Sequence, residues 1–250
     1  MNKNIRVNAA IIIIGNEILS GRTQDANTIT IALWLNSLGV KVQEVRVIPD
    51  IEDIIVNTIS KVKKINNYVF TTGGIGPTHD DITAKSISKA FNVKYEVNKE
   101  AYKILENYYK PGEFNEGRQK MAWTPSKAKL ILNPTSGAPG FIIDNVYCLP
   151  GVPSILKSML GGLKNVISGG KPIISHTINL RTVESEISKS LTTVQENNKD
   201  VEIGSYPFFK AGKVGVSIVL RSDDKSKIEV CNSKILEFMN QKKIEIIKSS

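Results

Sequence analysis

One stretch constrains this chain more than any other: Tyr68–Thr83, YVFTTGGIGPTHDDIT. Tyr68–Thr72 is an apolar run of strand length. It breaks into Gly73, Gly74 and Gly76, then Pro77, then a polar cluster ending in Asp80 and Asp81. A helical pattern follows, with Ile82, Ala84, Ile87, Ala90 and Phe91 near one face. A strand thus feeds a glycine turn, and the turn feeds a helix start. Glycines admit positive φ and the close approach of a ligand to bare backbone. Free N–H groups at a helix N-terminus suit phosphate. Two adjacent carboxylates at the same turn repel a bare phosphate, and a divalent cation between them resolves that conflict. The two acids also have a structural reading, Asp80 as a helix cap and Asp81 as a dipole partner. No Gly-Lys-Ser/Thr follows, so this is not a Walker loop. The spacing is also wrong for the dinucleotide G-x-G-x-x-G.

The residues before this stretch repeat its logic. Ala9–Ile14, AAIIII, is apolar on both faces, as in a parallel sheet covered on both sides. A turn bracketed by Gly15 and Gly21 then holds Asn16 and Glu17. Asp25 and Asn27 precede a helix with Ile29, Leu33, Leu35 and Leu38 as its apolar stripe, stopped by Gly39. Val40–Ile48 alternates as a strand and ends at Pro49-Asp50, and Ile51–Ile65 is the next helix. The order β-α-β-α-β-α predicts a mostly parallel sheet with right-handed crossovers. Ligands of such sheets bind at the carboxyl ends of the strands. Glu17, Asp50, Asp80 and Asp81 all fall at that one edge.

Further along, Val97–Tyr109 and Arg118–Trp123 read as helices of an insertion beside the site. Leu130–Leu132 is a short strand. The turn NPTSGAPGF follows, then a hairpin of Phe141–Ile143 and Val146–Leu149 around Asp144-Asn145. LPGVP exposes backbone once more and leads into a helix from Ser154 to about Ile167, with Ser154 as N-cap or early-turn residue. Residues 168–172 read as a linker, which sets the expected domains at 1–169 and 170–250. The second holds a β-α-β-β-α pattern in two layers, with few clustered acids. Residues 241–250 are expected to fray, apart from an edge strand over Ile244–Ile247.

Charge and composition exclude several classes. Net charge is +9, but no lysine run exceeds two, so a solvated surface is expected rather than a nucleic-acid site. Such a surface mildly attracts phosphorylated small molecules. Cys148 and Cys231 sit far apart in apolar patterns, which makes them core thiols. The longest apolar run, Ala9–Ile14, is too short to span a membrane, and the N-terminus lacks a signal-peptide pattern. The expectation is a cytoplasmic protein without a membrane partner.

Five motifs in order, GNEILSG-x₃-D-x-N, VIPD, TTGGIGPTHDDIT, NPTSGAPGF and LPGVP, resemble the MoaB/Mog-like molybdopterin-binding domain. The form is that of CinA-type competence/damage-inducible proteins, and the N-terminal domain of eukaryotic FAD synthase is similar. The resemblance covers about residues 8–168. ESEI (Glu184–Ile187) and EIGSYP (Glu202–Pro207) resemble the smaller domain that follows in CinA-type proteins. The resemblance implies a three-layer α/β/α fold with a mostly parallel sheet, followed by a small α+β two-layer domain. It also implies binding of a nucleotide or pterin phosphate.

In adenylyltransferases of this family, catalytic acids stand at the positions of Asp50 and Asp81. In CinA-type proteins the same site is linked to metal-dependent cleavage of nucleotide pyrophosphates such as ADP-ribose and FAD. Asp80 and Ile75 depart from the adenylyltransferase pattern and favour the hydrolase. The expected catalytic residues are Asp50, Asp80 and Asp81. Glu17 joins these acids as a ligand of Mg²⁺ or Co²⁺. The expected substrate and phosphate contacts are Asn16, Gly73, Gly74, Gly76 and Thr78 from the first turns. Ser136, Gly137, Pro139, Gly140, Pro150 and Gly151 add contacts from the later ones. His79 is a proton donor or an exposed loop residue. Relatives imply a homo-oligomer, a dimer or trimer. Two competing readings are a molybdopterin adenylyltransferase or molybdopterin-binding protein of molybdenum cofactor biosynthesis, and a non-catalytic binding module.

Overall fold

The computed structural model describes residues 7–210 and 212–247. The chain divides into two compact units, Met1–Gly170 and Lys171–Ser250. The first begins β1 (Asn8–Ile14), α1 (Asn16–Leu19), α2 (Asn27–Ser37), β2 (Lys41–Ile48), α3 (Glu52–Val62) and β3 (Tyr68–Thr72). It continues α4 (Thr83–Ala90), β4 (Tyr95–Val97), α5 (Lys99–Tyr108), α6 (Glu116–Lys120) and β5 (Trp123–Pro125). It closes with β6 (Lys129–Ile131), β7 (Gly140–Ile143), β8 (Val146–Leu149) and α7 (Pro153–Leu160).

Alternation along β1 builds the three layers. Ala9, Ile11 and Ile13 enter one core, while Ala10, Ile12 and Ile14 enter the other. Successive strand side chains point to opposite faces, so an unbroken apolar run buries both. Each fully buried isoleucine contributes roughly 1.5–3 kcal/mol of transfer free energy. Ile31 and Leu35 of α2 and Leu156, Met159 and Leu160 of α7 close the first core. Ile55, Ile59 and Val62 of α3 and Ala84 and Ile87 of α4 close the second.

The sheet order is β2-β1-β3-β8-β7-β6. β2, β1, β3 and β8 run parallel, and β7 and β6 complete the sheet antiparallel. The direction of winding reverses at β1, which opens a crevice between β1 and β3 at their carboxyl ends.

Several local expectations need correcting. The apolar stripe of α2 was expected at Ile29, Leu33, Leu35 and Leu38, yet Ile29 and Leu33 are 64% and 65% exposed. ITIALWL is apolar nearly all round, so periodicity cannot choose its buried face. Val97 belongs to β4, and α5 starts only at Lys99, where Asn98 Oδ1 accepts the N–H groups of Glu100 and Ala101. Trp123 is not helical. It opens β5, pairs with Val97 and packs its ring 5.3 Å from that of Tyr95. α7 starts at Pro153, which makes Ser154 an early-turn residue. That helix stops at Leu160 rather than Ile167, because Gly161-Gly162 shifts the chain into a 3₁₀ turn.

The second unit runs β9 (Ile174–Arg181), α8 (Glu184–Asn197), β10 (Glu202–Lys210), β11 (Lys213–Ser222), α9 (Lys225–Gln241) and β12 (Glu245–Ile247). Its antiparallel sheet has the order β10-β11-β9-β12. Ile178, Leu180, Val216, Ile218 and Leu220 form the face that packs against α8 and α9. β10 runs through Pro207, which is tolerated because the strand lies at the sheet edge. β12 is the edge strand expected near residue 244, while residues 248–250 of the expected frayed end lie outside the described residues. Both cysteines are buried free thiols, and burial pushes Cys148 up to about 12. Among the described residues no helix is long and apolar enough to cross a membrane.

Candidate functional site

Four strand ends deliver their turns to one edge of the first sheet. Ile14 leads into Gly15, Ile48 into Asp50, Thr72 into Gly73 and Leu149 into Pro150-Gly151. Backbone bonds lock the turns together: Gly15 N–H donates to Ile48 O at 3.1 Å, and Gly73 N–H to Leu149 O at 3.1 Å. Asn27, buried at the start of α2, donates from Nδ2 to Thr72 Oγ1 at 2.8 Å and to Gly151 O at 2.7 Å. Gly73 has φ of 101°, and a Cβ there would lie 2.1 Å from the Ile14 carbonyl oxygen. Only glycine fits. Asp25 accepts from the N–H groups of Asn27 and Thr28, so the D-x-N motif is a helix start.

The acids lie against glycines. A Cβ at Gly15 would meet the Glu17 carboxylate at 2.5 Å, and one at Gly76 would meet Asp81 Oδ2 at 2.7 Å. A Cβ at Gly74 would sit 3.6 Å from Asp50 Oδ1. Asp50 Oδ2 accepts the Asn16 N–H at 2.9 Å. Burial, then repulsion from Glu17 and Asp80, pushes the Asp50 carboxyl above its ordinary value, against the pull of that N–H. The alternative reading of Asp80 as a helix cap does not hold, because no side chain caps α4.

Both carboxylates instead surround Thr78. Its N–H donates to Asp81 Oδ2 at 2.8 Å, and its hydroxyl lies 2.6 Å from Asp80 Oδ1 and 2.6 Å from Asp81 Oδ2. A hydroxyl has one proton, so one of those two short contacts has none to share. The Thr78 hydroxyl, more than any other cause, holds the Asp80 carboxyl below its usual range.

A cleft of about 570 Å³ runs along these turns. Glu17, Gly73, Gly74, Gly76, Thr78 and Asp81 line it. Ser136, Pro139, Pro150 and Gly151 also line it. The remaining expected residues lie behind or beside it. Asn16 and Asp50 stand beside the cleft, joined by their hydrogen bond. The side chains of Asp80 and His79 are exposed outside the lining. Gly137 turns with φ of 74° against the Tyr108 ring. Gly140 is buried in β7, where a Cβ would lie 2.3 Å from Cys148 O. Its place is fixed by strand packing rather than by a ligand. Gly73 lines the cleft, but its N–H is already given to Leu149, which leaves Gly74 and Gly76 as the amides of that turn open to an anion.

The sequence reading missed Thr23, Met121 and Asn133, which also line the cleft. Asn133 Oδ1 accepts the N–H groups of Thr135 and Ser136, and its Nδ2 donates to Ser136 Oγ and Ala138 O. Asn-Pro-Thr-Ser is an Asx-turn signal, so that residue was findable.

Among the described residues no three His, Cys, Asp or Glu side chains converge as a ready metal group. The expected acids do carry the chemistry a hard cation takes, carboxylate oxygen. The repulsion at Asp50 and the proton-poor contact at Thr78 are both strains that a cation relieves. The residues therefore fit such an ion chemically.

Residues 10–175 match the family described as "Probable molybdopterin binding domain". The chain belongs to this molybdopterin-binding domain family. Residues 172–247 match "FAD synthase, middle domain". A protein of Archaeoglobus fulgidus is 35% identical to this molybdopterin-binding domain protein over 93% of the chain and 98% of its own length. One of Pyrobaculum calidifontis is 33% identical over 80% of each. CinA of Thermoplasma acidophilum, described as of unknown function, superposes with a TM-score of 0.61 at 31% identity. That match covers 65% of this chain and 99% of that one.

Proposed function

We propose that the first unit is a divalent-cation-dependent nucleotide pyrophosphatase that acts on substrates of the ADP-ribose or FAD type. The observation that carries the reading is the acidic cleft: Glu17 and Asp81 line it beside the Gly74 and Gly76 amides, which suit a diphosphate, with Asp50 and Asp80 on the adjoining turns. Bound Mg²⁺ or Co²⁺, held by those acids, would screen the phosphate charge and acidify a water. The raised affinity of Asp50 for a proton suits it to take one from the attacking water. Water oxygen bonds to phosphorus as the bridging P–O bond breaks, releasing AMP and a second monophosphate. Asp81, fixed by Thr78, would orient the phosphate side, while Ser136, Pro139, Pro150 and Gly151 wall the rest of the substrate. The match of residues 172–247 to the FAD synthase middle domain supports a flavin dinucleotide among the substrates. The family's description favours a pterin ligand as the second reading, with a pterin phosphate in place of water as nucleophile.

The test is chromatography of products after incubation with ADP-ribose, FAD or NAD, with Mg²⁺, Co²⁺ or EDTA. AMP release that requires metal and falls at least about 1,000-fold in Asp81→Asn is expected. A folded protein that releases no AMP under any condition overturns the reading, and adenylylation of molybdopterin then becomes the assay to run. An unchanged rate in Asp81→Asn overturns the site.

A further inference from the structure

Lys120 lies in the insertion between α4 and β6, 42 residues from the turn it touches. It is half-buried, and its Nζ donates to the carbonyl of Thr78. The same carbonyl accepts the Asp81 N–H at 3.3 Å. Thr78 is the hub of the acidic turn, because its N–H and hydroxyl contact both carboxylates. We propose that Lys120 is a positioning residue that fixes the Thr78 peptide and so holds Asp81 towards the substrate cleft.

The rest of α6 supports the assignment. Gly117 seats the helix against the turn, where a Cβ would lie 3.5 Å from the Pro77 carbonyl oxygen. The helix itself is held firmly. Asn115 Oδ1 caps Arg118 N–H at 3.0 Å, Gln119 Nε2 donates to Phe114 O at 3.1 Å, and the Arg118 guanidinium lies 4.1 Å from the Tyr109 ring centre. Ala122, just beyond it, is fully buried with Ala101 and Leu105. A cation on a fixed platform loses little freedom in holding its partner. The ammonium also lowers the Asp80 carboxyl, a smaller influence than that of Thr78. It therefore offsets part of the repulsion at a turn with two adjacent carboxylates. The alternative is a surface lysine whose contact with Thr78 is incidental.

Two measurements separate these, and only the second rests on the proposed hydrolysis. The first is hydrogen–deuterium exchange over residues 76–82 in the full chain. Lys120→Met is expected to speed exchange there several-fold with an unchanged melting temperature, and Lys120→Arg to restore protection. Equal exchange in parent and Lys120→Met overturns the proposal whether or not the protein hydrolyses anything. The second is AMP release. Lys120→Met is expected to lower kcat on the order of 100-fold with KM nearly unchanged, and Lys120→Arg to recover most of it. A rise in KM alone would make Lys120 a substrate-binding group and would also overturn the positioning role. A parent protein without activity removes the hydrolase reading and leaves the exchange result to decide on Lys120.

Discussion

Asp50 is the residue on which stability and chemistry pull apart. Its folded carboxyl holds a proton more tightly than the ordinary value of 3.8, chiefly through burial and then through Glu17 and Asp80. Above its folded value it is charged in both the folded and unfolded chain, so folding there bears the cost of burying the charge. As pH falls through the folded value towards 3.8, the folded state takes up the proton first and the cost is relieved. Asp50→Asn keeps an acceptor for the Asn16 N–H and removes the charge. With chelator present, its melting temperature at pH 7 is expected to exceed the parent's by roughly 1–3 °C. The gap should close as the pH drops across that window, while AMP release is lost. A melting temperature below the parent's at pH 7 would mean the charge is stabilised where it stands.

At the scale of elements, the glycine turn after β3 was legible because its constraint is local. The strand and the positive φ follow from TTGGIG, although what approaches Gly73 closely is the Ile14 carbonyl of β1 and not a ligand, and AAIIII likewise declared its two buried faces. The buried side of α2 was not legible, since Ile31 and Leu35 compete with equally apolar Ile29 and Leu33. Trp123 was misplaced because a three-residue ribbon carries almost no periodicity, and its pairing with Val97 depends on a distant segment. The same distance hid the approach of Lys120 to Thr78. The acids were found at the right edge, but Asp80 points outside the cleft and the Gly73 amide is spent on Leu149. Neither side-chain direction nor backbone pairing can be read from spacing. Two alanine substitutions measure the local constraint. Gly73→Ala places Cβ against Ile14 O at positive φ and is expected to destabilise by about 3 kcal/mol or more. Gly161→Ala meets nothing within 4 Å, has helical φ of −56°, and is expected to shift stability by no more than about 1 kcal/mol, in the stabilising direction. Urea midpoints of the two variants check both.

At the scale of the whole molecule, each unit builds its core from its own residues. The clusters around β1 and α5 end by Ile167, and the second unit's cluster begins at Ile178. A unit with its own core can fold alone, and one of about 80 residues is within the range that does so without disulfides or metal. Every acid and glycine of the proposed site belongs to the first unit. A fragment of residues 171–250 is therefore expected to melt cooperatively by circular dichroism, and a fragment of residues 1–170 to release AMP with a kcat within about tenfold of the full chain. A matching kcat with a raised KM would give the second unit a share in holding substrate, since uniform binding shows in KM alone. Loss of kcat in a folded 1–170 fragment would mean that the second unit completes the catalytic site, and would contradict the placement of the chemistry within the first sheet's crevice.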